Sequence, residues 1–187
     1  MDIHQALKIH DEFSQQLFDA KAVDEAVRLM AERVAVDYQN RFPLVLCVMN
    51  GGLFLTGQLM RFWDFPLTID YVHATRYKLS TLGRDVLWKA YPQNSLRDRS
   101  VIIVDDIFDQ GYTLQEVKQY CLKQGAKECI STFLIRKHHQ RKRAAIEADH
   151  VALDCEDVYV YGSGMDLHSH FRNCSGVYAI PREQSGR

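Results

Sequence analysis

The sequence predicts an α/β protein organised on an open, mostly parallel sheet flanked by helices, and three stretches carry that prediction. In SVIIVDDIFDQGYTL, Ser100 to Leu114, the β-branched residues Val101 to Val104 form an unbroken apolar run bounded by polar residues. A half-exposed strand would alternate apolar and polar, so this run suits a strand covered on both faces. Leu114, Val117, Tyr120 and Cys121 then follow at helical spacing. PLVLCVMNGG repeats the arrangement, an apolar strand entering a double glycine, and the helix-like LFLTGQLMRF comes after it. Ile130 to Ile135 supplies the next strand. Strand, helix, strand in that order is the pattern of parallel strands joined by crossover helices.

The other elements read in chain order. Ile3 to Phe18 and Val23 to Tyr38 carry helical apolar spacing, and in the second Val23, Ala26, Val27, Met30, Val34 and Tyr38 make one stripe. Leu67 to His73 reads as a strand, and the polar RYKLSTLGRD behind it as a loop or a β-excursion. Leu114 to Lys123 is the helix between the strands at 101 and 130, while HVAL, VYVYG and GVYAIP are short strands separated by turns. A single domain over residues 1–187 is expected, with a small hood built from the terminal segments.

Composition narrows the class of function. With 23 basic against 24 acidic side chains there is no long-range field to attract nucleic acid or a membrane surface, which favours a small-molecule partner. The N-terminus, MDIHQALKIHDEF, has no apolar signal core, and no apolar run approaches the roughly 20 residues of a membrane helix, so a cytoplasmic protein is expected. Five cysteines, an odd number without a CxxC pair, argue against a disulfide framework and a zinc site.

Ligands of open α/β sheets bind beyond the carboxyl ends of the strands, and two such ends here run into loops suited to phosphate. Asn50, Gly51 and Gly52 let backbone N–H groups approach an anion, and Asp109 to Thr113 leads into a helix N-terminus whose unpaired N–H groups favour negative charge. Neither matches GxxxxGK[ST], and no GxGxxG follows a strand, which removes support for triphosphate hydrolysis and dinucleotide binding. Asp105 and Asp106, expected at the strand's carboxyl end, would repel a phosphate but accept hydrogen bonds from vicinal hydroxyls. An acid pair beside an anion loop therefore matches a sugar phosphate; the alternative is a solvated acidic turn or a salt bridge to an arginine.

VIIVDDIFDQGYTL resembles the phosphoribosyl-diphosphate signature of the type I phosphoribosyltransferases, and two further segments narrow the likeness to their purine-salvage branch, the hypoxanthine-guanine phosphoribosyltransferases. VLCVMNGG is similar to that branch's pyrophosphate loop, and VYVYGSGMDLHSHFRN to its purine-pocket and metal segment; the resemblance runs from about Val45 to Pro181. It implies the family fold, with a mobile lid over roughly Arg76 to Trp88, and a donor-binding set of Asn50, Gly51, Gly52, Arg76, Tyr77, Asp105, Asp106, Asp109 to Thr113 and Arg172. In that set Asp105 and Asp106 hold the ribose hydroxyls and Arg172 reaches the pyrophosphate. Backbone N–H groups of Asp109, Gln110, Gly111, Tyr112 and Thr113 hold the 5′-phosphate, so Gln110 and Tyr112, where other members often have Thr and Lys, should be tolerated. Asp109 is implied as the catalytic acid near purine N7, a general base or proton relay. Ile107, Lys137, Tyr159, Val160 and Asp166 form the implied purine set: Lys137 donates to the purine O6 and so excludes adenine, Tyr159 stacks on the base, and the Val160 backbone reads its edge. Asp166 is the implied carboxylate for Mg²⁺, while His168 and His170 leave a transition-metal site with Asp166 as an alternative. A homodimer or homotetramer is implied as well.

The reaction implied is displacement of pyrophosphate from 5-phosphoribosyl 1-diphosphate by a nitrogen of a 6-oxopurine, hypoxanthine or guanine. It needs alignment, neutralisation of the leaving group and exclusion of water rather than a covalent nucleophile. A nucleotide-sensing regulator on the same fold and a transferase for xanthine or another base are the rivals. Two departures stand out: Asn50 occupies a position where the family often has lysine, after a peptide bond that the resemblance implies to be cis, and Arg76-Tyr77 stands where many members have Ser-Tyr. Arg76 is the expected source of the charge that Asn50 lacks. Arg76→Ala should therefore weaken diphosphate affinity in a direct binding titration, and an unchanged value would reject that role.

Overall fold

A computed structural model describes residues 1–76 and 86–181 of the chain. Its centre is strand β5, Ser100–Phe108, which pairs in parallel with β2 (Leu44–Val48) on one side and β6 (Glu128–His138) on the other. Beyond β2 lies β3 (Thr68–Arg76), with β4 (Val86–Ala90) antiparallel at the edge; beyond β6 lies β7 (His150–Glu156), parallel to it. The six-stranded order is β4-β3-β2-β5-β6-β7. The mostly parallel α/β sheet is the fold the sequence predicts.

Side chains of β5 alternate between two fully buried layers. Ile102 and Val104 enter the layer formed with α2 (Ala20–Tyr38) and α3 (Gly52–Phe62), while Val101 and Ile103 enter the one formed with α4 (Tyr112–Lys123). Each such side chain contributes roughly 1.5–3 kcal/mol on burial, which explains why this run has no polar member. Leu114, Val117 and Cys121 are the buried face of α4, as their spacing predicts. Tyr120 instead packs beside Trp88 and Tyr91, with ring centroids at 4.9 and 5.3 Å. No helix among the described residues is long and apolar enough to cross a membrane.

Two predicted elements have different limits. β5 continues through Asp105 to Phe108, paired with Phe133 to Arg136 of β6, so the acids lie within the strand rather than at its end. Partnering by β2 stops at Cys47 and Val104, and this one-sided stretch tolerates polar residues because one flank is open. The helix expected over Ile3 to Phe18 is α1, Ile3–Phe13, followed by β1, Gln15–Phe18. Ser14 is extended, and Asp19 caps α2 by accepting from the Ala22 N–H, so four residues must link two helices. They do so as an edge strand on β9 (Val177–Ile180), which also pairs with β8 (Tyr159–Tyr161) in a separate three-stranded sheet. The polar segment read as a loop or β-excursion runs into β4. Tyr77 and the rest of residues 77–85, most of the expected lid, lie outside the described residues, as does the side chain of Arg76, the last residue of β3.

One buried acid ties the β4–β5 connection to β3. The Asp70 carboxylate, 7% exposed, accepts from the N–H groups of Tyr71, Gln93 and Asn94 at 2.7–2.8 Å and from the Asn94 amide at 2.9 Å. Burial alone would raise its pKa, but these donors together bring it below the usual 3.8. A folded pKa below the unfolded one stabilises the fold above the unfolded value and ceases to do so as pH falls through the folded value. Asp70→Asn should cost about 1–3 kcal/mol at pH 7. The gap to the unsubstituted chain in urea unfolding should close only as the pH falls through the folded value, below 3.8, where the Asp70 carboxyl loses its charge as well.

Candidate active site

The candidate site occupies the open flank of β5. Where β2 ends, the chain turns through Asn50, Gly51 and Gly52 into α3, and the Met49–Asn50 peptide is cis. A Cβ at Gly51 would overlap the Asp106 carboxylate, and one at Gly52 would run into the Val104 carbonyl. Both glycines are needed simply to let this turn close over the acid-bearing end of β5. Gly164, at φ +104°, presses on the Gly51 carbonyl in turn, which docks residues 162–172 onto the same turn.

These walls enclose a cleft of about 1010 Å³. Asn50, Gly51, Asp105, Asp106 and Ile107 form one side of it, residues 109–113 another, and Asp166 and Arg172 a third. Gly111 caps α4 with φ +78°, a left-handed conformation that a Cβ would strain, and directs the helix N-terminus toward the cleft. The structure thus gathers Asn50, Gly51, Asp105 to Thr113, Asp166 and Arg172 around one space. Gly52 sits behind this wall.

Charge in the cleft is held by mutual pairing. Burial is the chief cause that pushes Asp105 and Asp106 above the ordinary carboxylate range, with the neighbouring Asp106 adding to the effect on Asp105. The Asp106 N–H donates to Asp105 Oδ1 at 2.9 Å. Arg172 opposes the rise from above: its guanidinium lies 3.9 Å from Asp106, 2.7 Å from Asp166 Oδ1, and donates to the Gly164 carbonyl at 2.6 Å. The other Asp166 oxygen accepts from the Ser169 N–H at 2.7 Å. No set of three metal-ligating side chains occurs among the described residues, so His168 and His170 do not assemble a transition-metal site with Asp166.

Three residues of the implied purine set are not on the cleft wall. Tyr159 and Val160 are 7% and 5% exposed within β8; the Tyr159 hydroxyl donates to the Asp166 carbonyl at 2.8 Å and its ring stacks on His168 at 6.3 Å. Lys137, near the end of β6, is partly buried, and that burial pushes its ammonium pKa down against the pull of Asp109. Arg136 beside it turns the other way and pairs with Asp154 at 2.6 Å. Conversely, the structure adds residues that the sequence did not single out. His73, Thr75 and Lys89 line the cleft from the β3–β4 hairpin, where burial and Lys89 lower the His73 pKa. Asp109 is paired with His139 at 3.0 Å and Arg141 at 2.6 Å.

This arrangement of acid pair, glycine turn and helix-capping loop can be set beside known proteins. Residues 14–169 match the model of the phosphoribosyl transferase domain. The chain belongs to that family. Relatives of this phosphoribosyltransferase include the hypoxanthine-guanine phosphoribosyltransferase of Bacillus subtilis, 28% identical over 88% of this chain and 91% of the relative. The hypoxanthine-guanine-xanthine phosphoribosyltransferase of Tritrichomonas foetus is 24% identical over 87% and 89%. Among solved structures, a hypoxanthine phosphoribosyltransferase from Staphylococcus aureus superposes with a TM-score of 0.85 at 22% identity, covering 94% of this chain and 95% of its own. A hypoxanthine-guanine phosphoribosyltransferase from Bacillus anthracis gives 0.84 at 24%, covering 90% and 99%. These likenesses establish the type I phosphoribosyltransferase fold.

A carboxyl group whose folded pKa is raised costs stability as pH climbs from its unfolded value toward the folded one. Asp105→Asn should therefore raise the thermal midpoint at pH 7, by about 2–4 °C for each kcal/mol relieved in a domain of this size. The gain should vanish below the ordinary carboxylate range; calorimetry at pH 7 and pH 3.5 checks both.

Proposed function

We propose that this phosphoribosyltransferase acts in purine salvage, transferring phosphoribosyl from 5-phosphoribosyl 1-diphosphate to hypoxanthine or guanine and releasing IMP or GMP and pyrophosphate. The observation that carries the reading is the placement of Asp105 and Asp106 on the open flank of β5, between the Asn50–Gly52 turn and the N-terminus of α4. Ribose hydroxyls would donate to the acid pair, the 5′-phosphate would take the N–H groups of residues 109–113, and the diphosphate would face the glycine turn and Arg172. The Bacillus subtilis and Tritrichomonas foetus relatives, named for hypoxanthine and guanine, support a 6-oxopurine as acceptor, and the second, named also for xanthine, supports xanthine as a further base.

Asp109 is the proposed group that takes the purine proton, and Ile107 the side chain beneath the base. Lys137, Tyr159 and Val160, set back from the cleft, would meet the base once it lies against β8 and the end of β6. The donor set fits magnesium: Asp166 presents a hard oxygen ligand to the cleft, with other ligands left to substrate and water. Bound there, the ion would supply charge neutralisation at the diphosphate. Arg172 serves the same end from this chain's own side, and it keeps Asp166 oriented through their 2.7 Å pair. A cytoplasmic homodimer or homotetramer completes the proposal.

A spectrophotometric assay with phosphoribosyl diphosphate and Mg²⁺, offering hypoxanthine, guanine, xanthine and adenine separately, tests the reading. Turnover of hypoxanthine or guanine but not adenine is expected. Binding of the donor with turnover of no base would support the sensing regulator instead. Asp109→Asn should lower kcat by roughly 10²–10⁴, the usual contribution of a positioned proton acceptor, with a much smaller change in KM. Near-normal turnover would remove Asp109 from that role.

A further inference from the structure

Asp109 is gripped by a segment outside the phosphate loop. The β6–β7 connection, residues 139–149, folds back over residues 109–111, with the Ala144 N–H donating to the Gln110 carbonyl at 2.8 Å. At its start the His139 side chain, 1% exposed, brings Nε2 to 3.0 Å from Asp109 Oδ1 and 3.1 Å from the Asp109 carbonyl. The Arg141 N–H donates to His139 Nδ1 at 3.2 Å. A ring nitrogen that accepts carries no hydrogen, so Nε2 holds it and donates to Asp109. From the other side, Arg141 places Nη2 2.6 Å from Asp109 Oδ1 and Nη1 3.3 Å from Oδ2. The same guanidinium donates to Asp157 through Nη2 at 2.8 Å and Nε at 3.3 Å. One planar fork thus spans two carboxylates, and Lys137 adds its positive charge to the cluster.

We propose that Arg141, assisted by His139, is a positioning residue for the transfer reaction: it fixes the Asp109 carboxylate in one orientation at the cleft and holds Asp157 apart from it. The inference rests on the reading of Asp109 as the acceptor of the purine proton. A carboxylate on a single bond rotates unless both oxygens are held, and Arg141 reaches both, while His139 fixes the side chain and its own backbone carbonyl together. Two acids drawn to the same space repel, and the shared guanidinium turns that repulsion into a fixed spacing. A lysine is a point charge without the fork, so it would supply the charge but only part of the orientation. The structural alternative is that Arg141 does no more than compensate Asp157 at the start of β8.

Steady-state kinetics of the full chain with hypoxanthine, donor and Mg²⁺ separates these roles, using Arg141→Met, Arg141→Lys, His139→Gln and the double variant Arg141→Met/Asp157→Asn, with melting curves for each. Arg141→Met is expected to lower kcat about tenfold or more, a fraction of what a positioned proton acceptor contributes, while KM for the donor stays within about twofold. Arg141→Lys should recover part of the loss, and the double variant should stay impaired. Unchanged kcat in folded Arg141→Met, or full recovery in the double variant, would overturn the proposal. Should Arg141→Met fail to fold, Arg141→Lys and His139→Gln carry the test: both should lose kcat at constant donor KM, and unchanged kcat in both overturns it. Absence of turnover in the unsubstituted chain would overturn the transferase reading and this inference with it, whereas turnover that the variants leave intact overturns this inference alone.

Discussion

The site depends on one steric condition: β5 must run on past the end of β2 with nothing larger than hydrogen projecting from the turn that covers it. Gly51 and Gly52 meet that condition against Asp106 and the Val104 carbonyl, and Gly164 meets its counterpart against Gly51. Because glycine backbone lies directly against the Asp106 carboxylate, the Val104 carbonyl and the Gly51 carbonyl, the acid pair is walled in without bulky side chains, and the cleft keeps its room. Burial has an electrostatic cost, visible in the raised pKa of both acids, and Arg172 offsets part of it from the loop that Gly164 docks. Sterics and charge are therefore set by the same two loops around the end of β5.

Arg172, on the cleft wall, and Arg141, behind Asp109, repeat one device. Each guanidinium spans two acids, Asp106 and Asp166 in the first case and Asp109 and Asp157 in the second. In both pairs one acid lines the cleft and the other belongs to the segment around β8. The region around β8 thus reaches the parallel sheet through ion pairs as well as through apolar packing. Such pairs stay ordered because the planar fork accepts only a narrow set of directions.

Much of this was legible in the sequence. Uninterrupted β-branched residues announce a strand with two covered faces, and the i, i+3, i+7 spacing of Leu114, Val117 and Cys121 announces the helix that covers one of them. The extension of β5 through Asp105 and Asp106 was hidden, because polarity in a strand is admissible only when a neighbour stops short, and neighbours belong to topology. Gln15–Phe18 hid for the same reason: its partner lies more than 150 residues away in sequence. Arg141 sits in the run HHQRKR, where every cation has the same sequence signature and only the fold selects the one that turns inward. Lys137, Tyr159 and Val160 were identified through the resemblance, which carries residue roles but not how deeply each side chain is set.

The pairing of β1 with β9 has a consequence for how the molecule comes into being. All six strands of the main sheet are contiguous between residues 44 and 156, so that sheet can assemble while the chain is still growing. The small sheet cannot, since β1 waits for residues 177–180, and the loop bearing Asp166 and Arg172 lies just before them. Closing so long a loop is entropically slow relative to local contacts. A nascent chain therefore holds Asp105 and Asp106 before it owns the arginine that offsets them, and the assembled cleft is among the last features to form.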